Sequence, residues 1–414
     1  MKQLFFSALA LSSITSTAGL AKDQVVELNL WEQDSPEVGI EMDKWIKVYT
    51  KKHPNVKVVR QHYENEALRT KYLRSSVTGD GADIIYGPND LAGVFATAKV
   101  IRPVDNLVKG LELDPTSVAV TKLSGKTWGV PISVGNHLML YYNKKLVGKA
   151  PDTFSELIAE SKSFMKTHKA SYGLAMYQSE PFWFAPLMGA FGAWPLSYNN
   201  GDVTVSLDTK EAKQALSFLT ALKDEEKILP KDCDYECAKT MFLSEKAPYH
   251  ISGDWEVNTL KEKFGNDLGI APLPKVDATG KYATPLLGGR YVFLNASLKG
   301  EQLKAAEDFI RFMTSNAVQL RVATQLHRIP SSAKVRQSAQ VKKDSILDAL
   351  ITASTHAKPS PSDVEMRAAW DGLRIMVQRA MSGKESVEVA AKTGQKAAEE
   401  ALSALKKDPS TKSH

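Results

Sequence analysis

The chain has 414 residues, of which 43% are apolar and 24% charged, and its formal net charge is +6. So long a chain exceeds what one hydrophobic core usually serves, which predicts two lobes or domains. A weak positive balance without any block of five or more basic residues argues against a nucleic-acid partner, and no later stretch has 18 consecutive apolar positions with which to cross a membrane.

In chain order, residues 1–21 come first: MKQLFFSALALSSITSTAGLA. Lys2 supplies a positive start, Leu4 to Leu11 a short apolar run, and Gly19 and Ala21 the small residues at −3 and −1 of a cut before Lys22. This is the layout of a secretory signal peptide, cleaved after Ala21, and it places the protein outside the cytoplasm. The small-residue ending disfavours the alternative, a buried N-terminal helix. With lysine rather than cysteine directly after the predicted cut, a lipid-anchored product is not expected.

A βαβ pattern follows. Val26, Leu28 and Leu30 alternate as one face of a strand. Met42, Trp45, Ile46 and Tyr49 recur at the spacing of a buried helical stripe, which Pro54 ends. Val56, Val58 and Val59 begin a second strand, Ala67–Val77 is helical, and Ala82–Tyr86 forms a third strand. Strands alternating with helices at this rhythm predict a largely parallel sheet. Lys126–Pro131 and Leu138–Tyr142 read as further strands, separated by Ile132–His137. Thr153 with Glu156 makes a capping box at a helix start. Asp208–Lys227 is a helix with Ala212, Ala215, Leu216, Leu219 and Leu222 as its stripe. Ala247–Ile251, Leu268–Ala271 and Tyr291–Asn295 are short strands. Helices then fill the last third, among them Asp363–Met381 and Val387–Lys406, before a polar tail that should fray.

The only cysteines, Cys233 and Cys237, stand in Cys-Asp-Tyr-Glu-Cys. In an oxidising compartment a disulfide closing this small loop is the first reading, with two free thiols as the other. Metal binding would need further ligands, and no histidine lies within ten residues.

In open α/β sheets ligands bind beyond the carboxyl ends of the strands. That rule selects Trp31-Glu32-Gln33-Asp34 and Tyr86-Gly87-Pro88-Asn89-Asp90. Similar mixtures of aromatic and hydrogen-bonding residues occur at Gln178–Phe184 and at Ser252-Gly253-Asp254-Trp255. On the helix Asp363–Met381, Trp370 and Arg374 lie at the rim of a core stripe made by Ala369, Leu373, Met376 and Ala380. Sugars suit such mixtures, because their C–H faces stack on aromatic rings while their hydroxyls need planar, multidentate partners. No G-x-S-x-G, H-E-x-x-H, P-loop or G-x-G-x-x-G motif is present. A paired-carboxylate hydrolase leaves no spacing signature and stays open as an alternative. Tyr141-Tyr142 reads as part of a strand rather than an iron site, and Asn295-Ala296-Ser297 matches a glycosylation sequon.

Several segments, in this order, resemble the extracellular solute-binding proteins of ABC importers (family 1), and within them the periplasmic maltose/maltodextrin-binding proteins. The carriers are Leu30-Trp31, Thr78–Ile85, Gly125–Ile132, Leu140–Lys144, Glu180-Pro181-Phe182, Ser252–Trp255 and Ala369–Arg374. The resemblance implies two α/β lobes, each a mixed sheet flanked by helices, joined by a hinge of several crossovers, with sugar in the cleft. By similarity the first lobe takes residues 22–133 and 289–330, and the second takes 138–285 and 331–408. The hinge falls at 134–137, 286–288 and about 328–334. The family's stacking aromatics fall on Trp255, Trp370 and Phe182, with Tyr86 next to another such position. Its polar contacts fall on Asp90, Glu180 and Arg374, with the loop Glu32, Gln33, Asp34 a looser match. Three departures bear on the sugar: Leu91 stands where maltodextrin binders typically carry arginine, Gly135 where they carry an acid, and Gly87 at an aromatic position.

The expectation is therefore a non-enzymatic periplasmic receptor that binds a maltose- or maltodextrin-type oligosaccharide and delivers it to ABC permease subunits. It should be a monomer without cofactor or metal. Alternatives are a binder of another saccharide such as trehalose, a secreted glycoside-acting enzyme, and an adhesion or sensory module.

Overall fold

The computed structural model describes residues 25–169, 171–199 and 202–407. The signal peptide expected at residues 1–21, and nearly all of the polar tail, lie outside the described residues.

The chain opens as β1 (Val26–Glu32), α1 (Pro36–Lys52), β2 (Val56–His62), α2 (Asn65–Thr78), β3 (Ile84–Pro88) and α3 (Leu91–Thr97). Alternation builds β1, whose Leu28 and Leu30 are wholly buried. Pro36 at the first helical turn and Lys51 and Lys52 in the last favour α1 at both ends, and Met42, Trp45 and Tyr49 form its buried stripe. The chain continues through β4 (Val130–Gly135), β5 (Leu138–Asn143), α4 (Phe154–Thr167), β6 (Leu174–Met176), α5 (Pro181–Phe191) and α6 (Lys210–Asp224). Next come α7 (Tyr235–Leu243), β7 (Tyr249–Gly253), α8 (Val257–Phe264), β8 (Leu268–Ala271) and β9 (Leu286–Leu294). The last third holds α9 (Gly300–Met313), α10 (Asn316–Leu326), β10 (Ile329–Pro330), α11 (Ser345–Ala353), β11 (Lys358–Pro359), α12 (Val364–Met381) and α13 (Val387–Lys407).

Two principal sheets organise two lobes. A seven-stranded sheet runs β10-β4-β9-β3-β1-β2, with β11 on β9, and a four-stranded sheet runs β8-β5-β7-β6. Helices α1, α9 and α10 pack on one face of the larger sheet through Trp45, Phe309 and Val318, while Leu68 of α2 and Phe95 of α3 cover the other. The smaller sheet carries α4, α5, α6, α12 and α13 on one face, and α7, α8 and α11 on the other.

Both sheets are mixed, as the family resemblance implies and as the local alternation does not. β1 pairs in parallel with β2 and β3, but β9 lies antiparallel to β3 and to β4. Alternation in sequence reports only consecutive βαβ units. It is silent about a strand that enters the sheet centre from the far half of the chain.

Strand β9 begins at Leu286, five residues before the expected start, and Gly288-Gly289 is part of the ladder. At Gly288 a Cβ would lie 2.0 Å from Asn89 Oδ1, so the glycine permits the approach. Similarly, Ile132–Gly135, expected between two strands, is the end of β4, where Gly135 pairs with Gly288. Gly135 has φ +136°, and a Cβ there would lie 2.3 Å from Asp254 Oδ2. Only Asn136 and His137 then separate β4 in the larger sheet from β5 in the smaller. A second crossover runs through β9 itself, whose Leu286 belongs to the core around α12 and whose Val292 belongs to that around α1.

Tyr141 is fully buried and donates to the Gly253 carbonyl at 2.8 Å, a role internal to the sheet. Asn295 of the sequon is also buried and donates to the Ala82 carbonyl at 2.9 Å.

Candidate functional site

A cleft of about 620 Å³ opens between the lobes. Its first-lobe wall comes from the chain just past β1 (Gln33, Asp34) and β3 (Asp90), from Glu66 and Arg69 of α2, and from Arg290 of β9. Its second-lobe wall holds Tyr177, Glu180, Phe182, Trp183, Tyr235, Trp255, Trp370 and Arg374. One wall is thus polar and charged, and the other is largely aromatic.

The polar wall is built around Asp34. Arg328 holds both its oxygens, at 2.6 and 2.7 Å, and Arg290 Nε donates to Oδ2 at 2.9 Å. The Ser35 amide donates to Oδ1 at 3.0 Å. Burial pushes the pKa of this carboxyl up, but Arg290 and Arg328 outweigh it and hold the group well below the usual carboxylate range. With four donors already on the carboxylate, Asp34 borders the cleft chiefly as the anchor of Arg290, whose Nη1 also donates to Asn136 Oδ1 at 2.8 Å.

Asp90 is the opposite case. Its Oδ1 is buried and has no hydrogen-bond partner among the described residues. Burial raises its pKa against the opposing charges of Arg69 and Arg290. Such an acceptor suits a hydroxyl-bearing ligand. Burial also raises the pKa of Glu180 across the cleft, with Arg374 opposing. Arg69 is drawn down to about 10, first by burial and then by the charge of Arg367.

On the other wall Phe182 lies 6.1 Å from both Trp255 and Trp370, ring centre to ring centre. Trp183 stands behind, 5.9 Å from Trp255, with its indole N–H donating to the Ile251 carbonyl at 2.7 Å. Trp255 sits in a tight turn fixed on both sides. Asp254 accepts from the Asn136 amide at 3.0 Å, while Glu256 accepts from Ser252 Oγ at 2.6 Å and contacts His250 Nε2 at 3.0 Å. Tyr235, between the two cysteines, reaches the cleft from the first turn of α7. Cys233 and Cys237 are joined by a disulfide, and the Asp234 side chain caps the helix by accepting from the Cys237 amide at 2.9 Å.

Gln33, Asp34, Asp90, Glu180, Phe182, Trp255, Trp370 and Arg374 of the expected site therefore border one cleft. Glu32 and Tyr86 do not. Glu32 is buried, takes Arg60 Nη1 at 2.6 Å and accepts from the Asp34 amide at 2.7 Å, so it shapes the loop from behind. Tyr86, on a strand covered on both faces, lies in the first-lobe core. Glu32 directly precedes the cleft residue Gln33, whereas Tyr86 lies two positions before Pro88, the nearest cleft residue in its strand.

Arg69, Tyr235 and Arg290 were missed. Arg69 sits in an amphipathically weak helix, and Arg290 follows two glycines inside a long strand. Neither carries a local signal. Tyr235 was hidden within a motif that drew attention to its cysteines.

Comparison with known proteins gives one consistent result. The family model described as bacterial extracellular solute-binding protein matches residues 44–349. A solved maltose/maltodextrin-binding domain from Bdellovibrio bacteriovorus, bound to maltotriose, is 33% identical with a TM-score of 0.85, covering 91% of this chain and 100% of that one. The maltose-maltodextrin binding protein of Alicyclobacillus acidocaldarius is 26% identical with a TM-score of 0.79, over 90% and 100% of the two chains. A maltotriose-binding protein of Pyrococcus abyssi is 24% identical over 348 residues, 82% of this chain and 74% of its own.

Proposed function

The chain belongs to the bacterial extracellular solute-binding proteins, and from that premise we propose that it is the receptor of an ABC importer for maltodextrin-type oligosaccharides. The observation that carries the sugar class is the pairing of an aromatic wall (Phe182, Trp255, Trp370) with a wall of polar groups that includes the unpartnered Asp90 oxygen. Pyranose C–H faces meet the first wall and hydroxyls the second. The similar proteins that bind maltotriose support the same class.

In this reading Trp255, Trp370 and Phe182 stack on sugar rings. Asp90 and Glu180 accept from hydroxyls, and Arg374 and Arg290 donate to them. Gln33 borders the same subsite, while Glu32 and Asp34 hold its loop and its arginine. The lobes are residues 22–133 with 289–330 and residues 138–285 with 331–408 in this reading, and they close about a hinge at 134–137, 286–288 and about 328–334. A ligand touching both walls favours the closed form through its differential affinity. The receptor is a periplasmic monomer released after Ala21, and it hands its cargo to the permease without chemical change.

Tryptophan fluorescence of the purified protein, titrated with maltose, maltotriose and trehalose, tests this. A saturable response to maltotriose at one site per chain, with no product release, is expected. Response to an amino acid or polyamine and to none of the saccharides would overturn the substrate class, and turnover of an oligosaccharide would favour the enzyme alternative.

A further inference from the structure

Beside the cleft, on the outer flank of the second lobe, lies a larger groove of about 1000 Å³ that the proposed function leaves unused. Its lining alternates with that of the cleft along two stretches of chain. Tyr177 and Glu180 border the cleft, whereas Gln178 and Ser179 border the groove. On α12, Trp370 and Arg374 border the cleft, whereas Ile375 and Gln378, with Ser382 just past the helix end, border the groove. Residues four apart on a helix advance about 6 Å along its axis, so Trp370, Arg374, Gln378 and Ser382 form one ascending row. The groove takes over where the cleft ends.

Its chemistry selects a ligand. Gln178 is 2% exposed, and its amide nitrogen donates to the Pro230 carbonyl at 3.1 Å. That bond fixes which end of the amide is oxygen, and the oxygen has no hydrogen-bond partner among the described residues. An unpartnered acceptor calls for a donor, so phosphate and carboxylate ligands are poor candidates. Ammonium ligands are disfavoured as well, because Lys223, Lys231, Arg379 and Lys384 all border the groove. Lys223 pairs with Asp224 and donates to the Met381 carbonyl, and Arg379 pairs with Glu385. Asp232 lines the groove with Lys231 and Lys384, so the lining is weakly positive around a floor of amides, Ser179 and Ser382 hydroxyls, and the apolar Ile375. Hydroxyl donors on an uncharged frame with C–H faces meet that description.

We propose that this groove is an extension of the sugar site, receiving the overhanging end of a saccharide chain too long for the cleft. The proposal rests on the saccharide reading of the cleft, and the two can fail separately. It assigns Gln178, Gln378 and Ser382 to selectivity for chain length, with no part in binding short ligands.

Isothermal titration of the secreted chain with maltotriose and maltoheptaose tests it, in the wild type and in two variants at exposed positions, Ser382→Trp and Gln378→Ala. A third variant, Gln178→Leu, removes the unpartnered carbonyl. Wild-type protein should favour the heptasaccharide by about tenfold, because the overhang binds at high effective concentration. Ser382→Trp, which fills the groove, should cut that preference to about threefold or less while leaving maltotriose affinity unchanged. A preference arising only from the many registers a long chain can adopt would survive Ser382→Trp, and that result would overturn the proposal. So would equal wild-type affinities for the two sugars, or two equivalents of maltotriose per chain, which would make the groove an independent site. Failure of the wild type to bind maltotriose at all would instead strike the proposed function on which this rests.

Discussion

At Asp34 one carboxylate meets two guanidiniums inside the protein, and the energetics follow from that geometry. Removing one member of a buried pair strands the other, so Asp34→Asn should lower unfolding free energy near pH 7 by about 3–5 kcal/mol. Because Arg290 and Arg328 hold the folded pKa of Asp34 below its unfolded value near 3.8, the stabilisation is complete above that value and is lost as pH falls toward the folded one. Urea denaturation of wild type and Asp34→Asn should therefore show a wide gap at neutral pH that narrows below about pH 3.8. A gap that stays constant across that range would mean the carboxylate acts by shape rather than charge. The aromatic wall obeys simpler rules. Trp370→Ala or Trp255→Ala should each weaken sugar binding by about 1–3 kcal/mol, the scale of burying one large apolar side chain. Fluorescence cannot report on its own missing tryptophan, so calorimetric titration is the measurement of choice, and an affinity within twofold of wild type would remove that residue from the stacking set.

Helix α7 shows how an element serves the site. The disulfide links Cys233, just before it, to Cys237 in its first turn, and Tyr235 is held between them. So short a loop restricts the unfolded chain little, for about 2 kcal/mol of stabilisation at most. Its larger effect should be to fix the direction of Tyr235. Replacing both cysteines by serine should lower the melting temperature by a few degrees and weaken maltotriose binding about two- to fivefold, on the general scale of stability increments for a domain this large. Unchanged affinity alongside the lowered melting temperature would show that Tyr235 keeps its place without the staple. Elements whose evidence is local were legible in the sequence. The Trp370 helix was read from its core stripe, with Ala369, Leu373 and Met376 all fully buried, and the capping box at Thr153 forms, although Glu156 reaches the Asp152 amide rather than that of Thr153. What stayed illegible depends on distant chain. Strand β9 pairs with β3 and β4 across long separations, and Arg290 becomes a cleft residue only because that register brings it opposite Pro88 and Ser133. Neither periodicity nor composition near residue 290 carries that information.

For the whole molecule the question is what holds the lobes together over the sugar. Among the described residues one ion pair spans the mouth of the cleft: Arg367 of α12 lies 3.8 Å from Glu66 of α2, which also pairs with Arg69. Glu66 is more than half exposed, and exposed pairs of this kind contribute about 0–1 kcal/mol. Moving a two-state hinge from 1:99 to 99:1 takes about 5.5 kcal/mol of differential affinity. The ion pair therefore falls well short, and the ligand must supply the difference by touching both walls at once. Glu66→Gln should accordingly change maltotriose affinity by less than about fivefold, and raising the salt concentration should have an equally small effect. Small-angle scattering should still show the radius of gyration falling when sugar is added to that variant. If Glu66→Gln abolished the contraction while the Trp370 site remained occupied, closure would have to be driven by the surface pair rather than by the bridging sugar. The magnitudes weigh against that outcome, because a screened contact at the rim is several-fold too weak to close two lobes that a buried ligand can join from both sides.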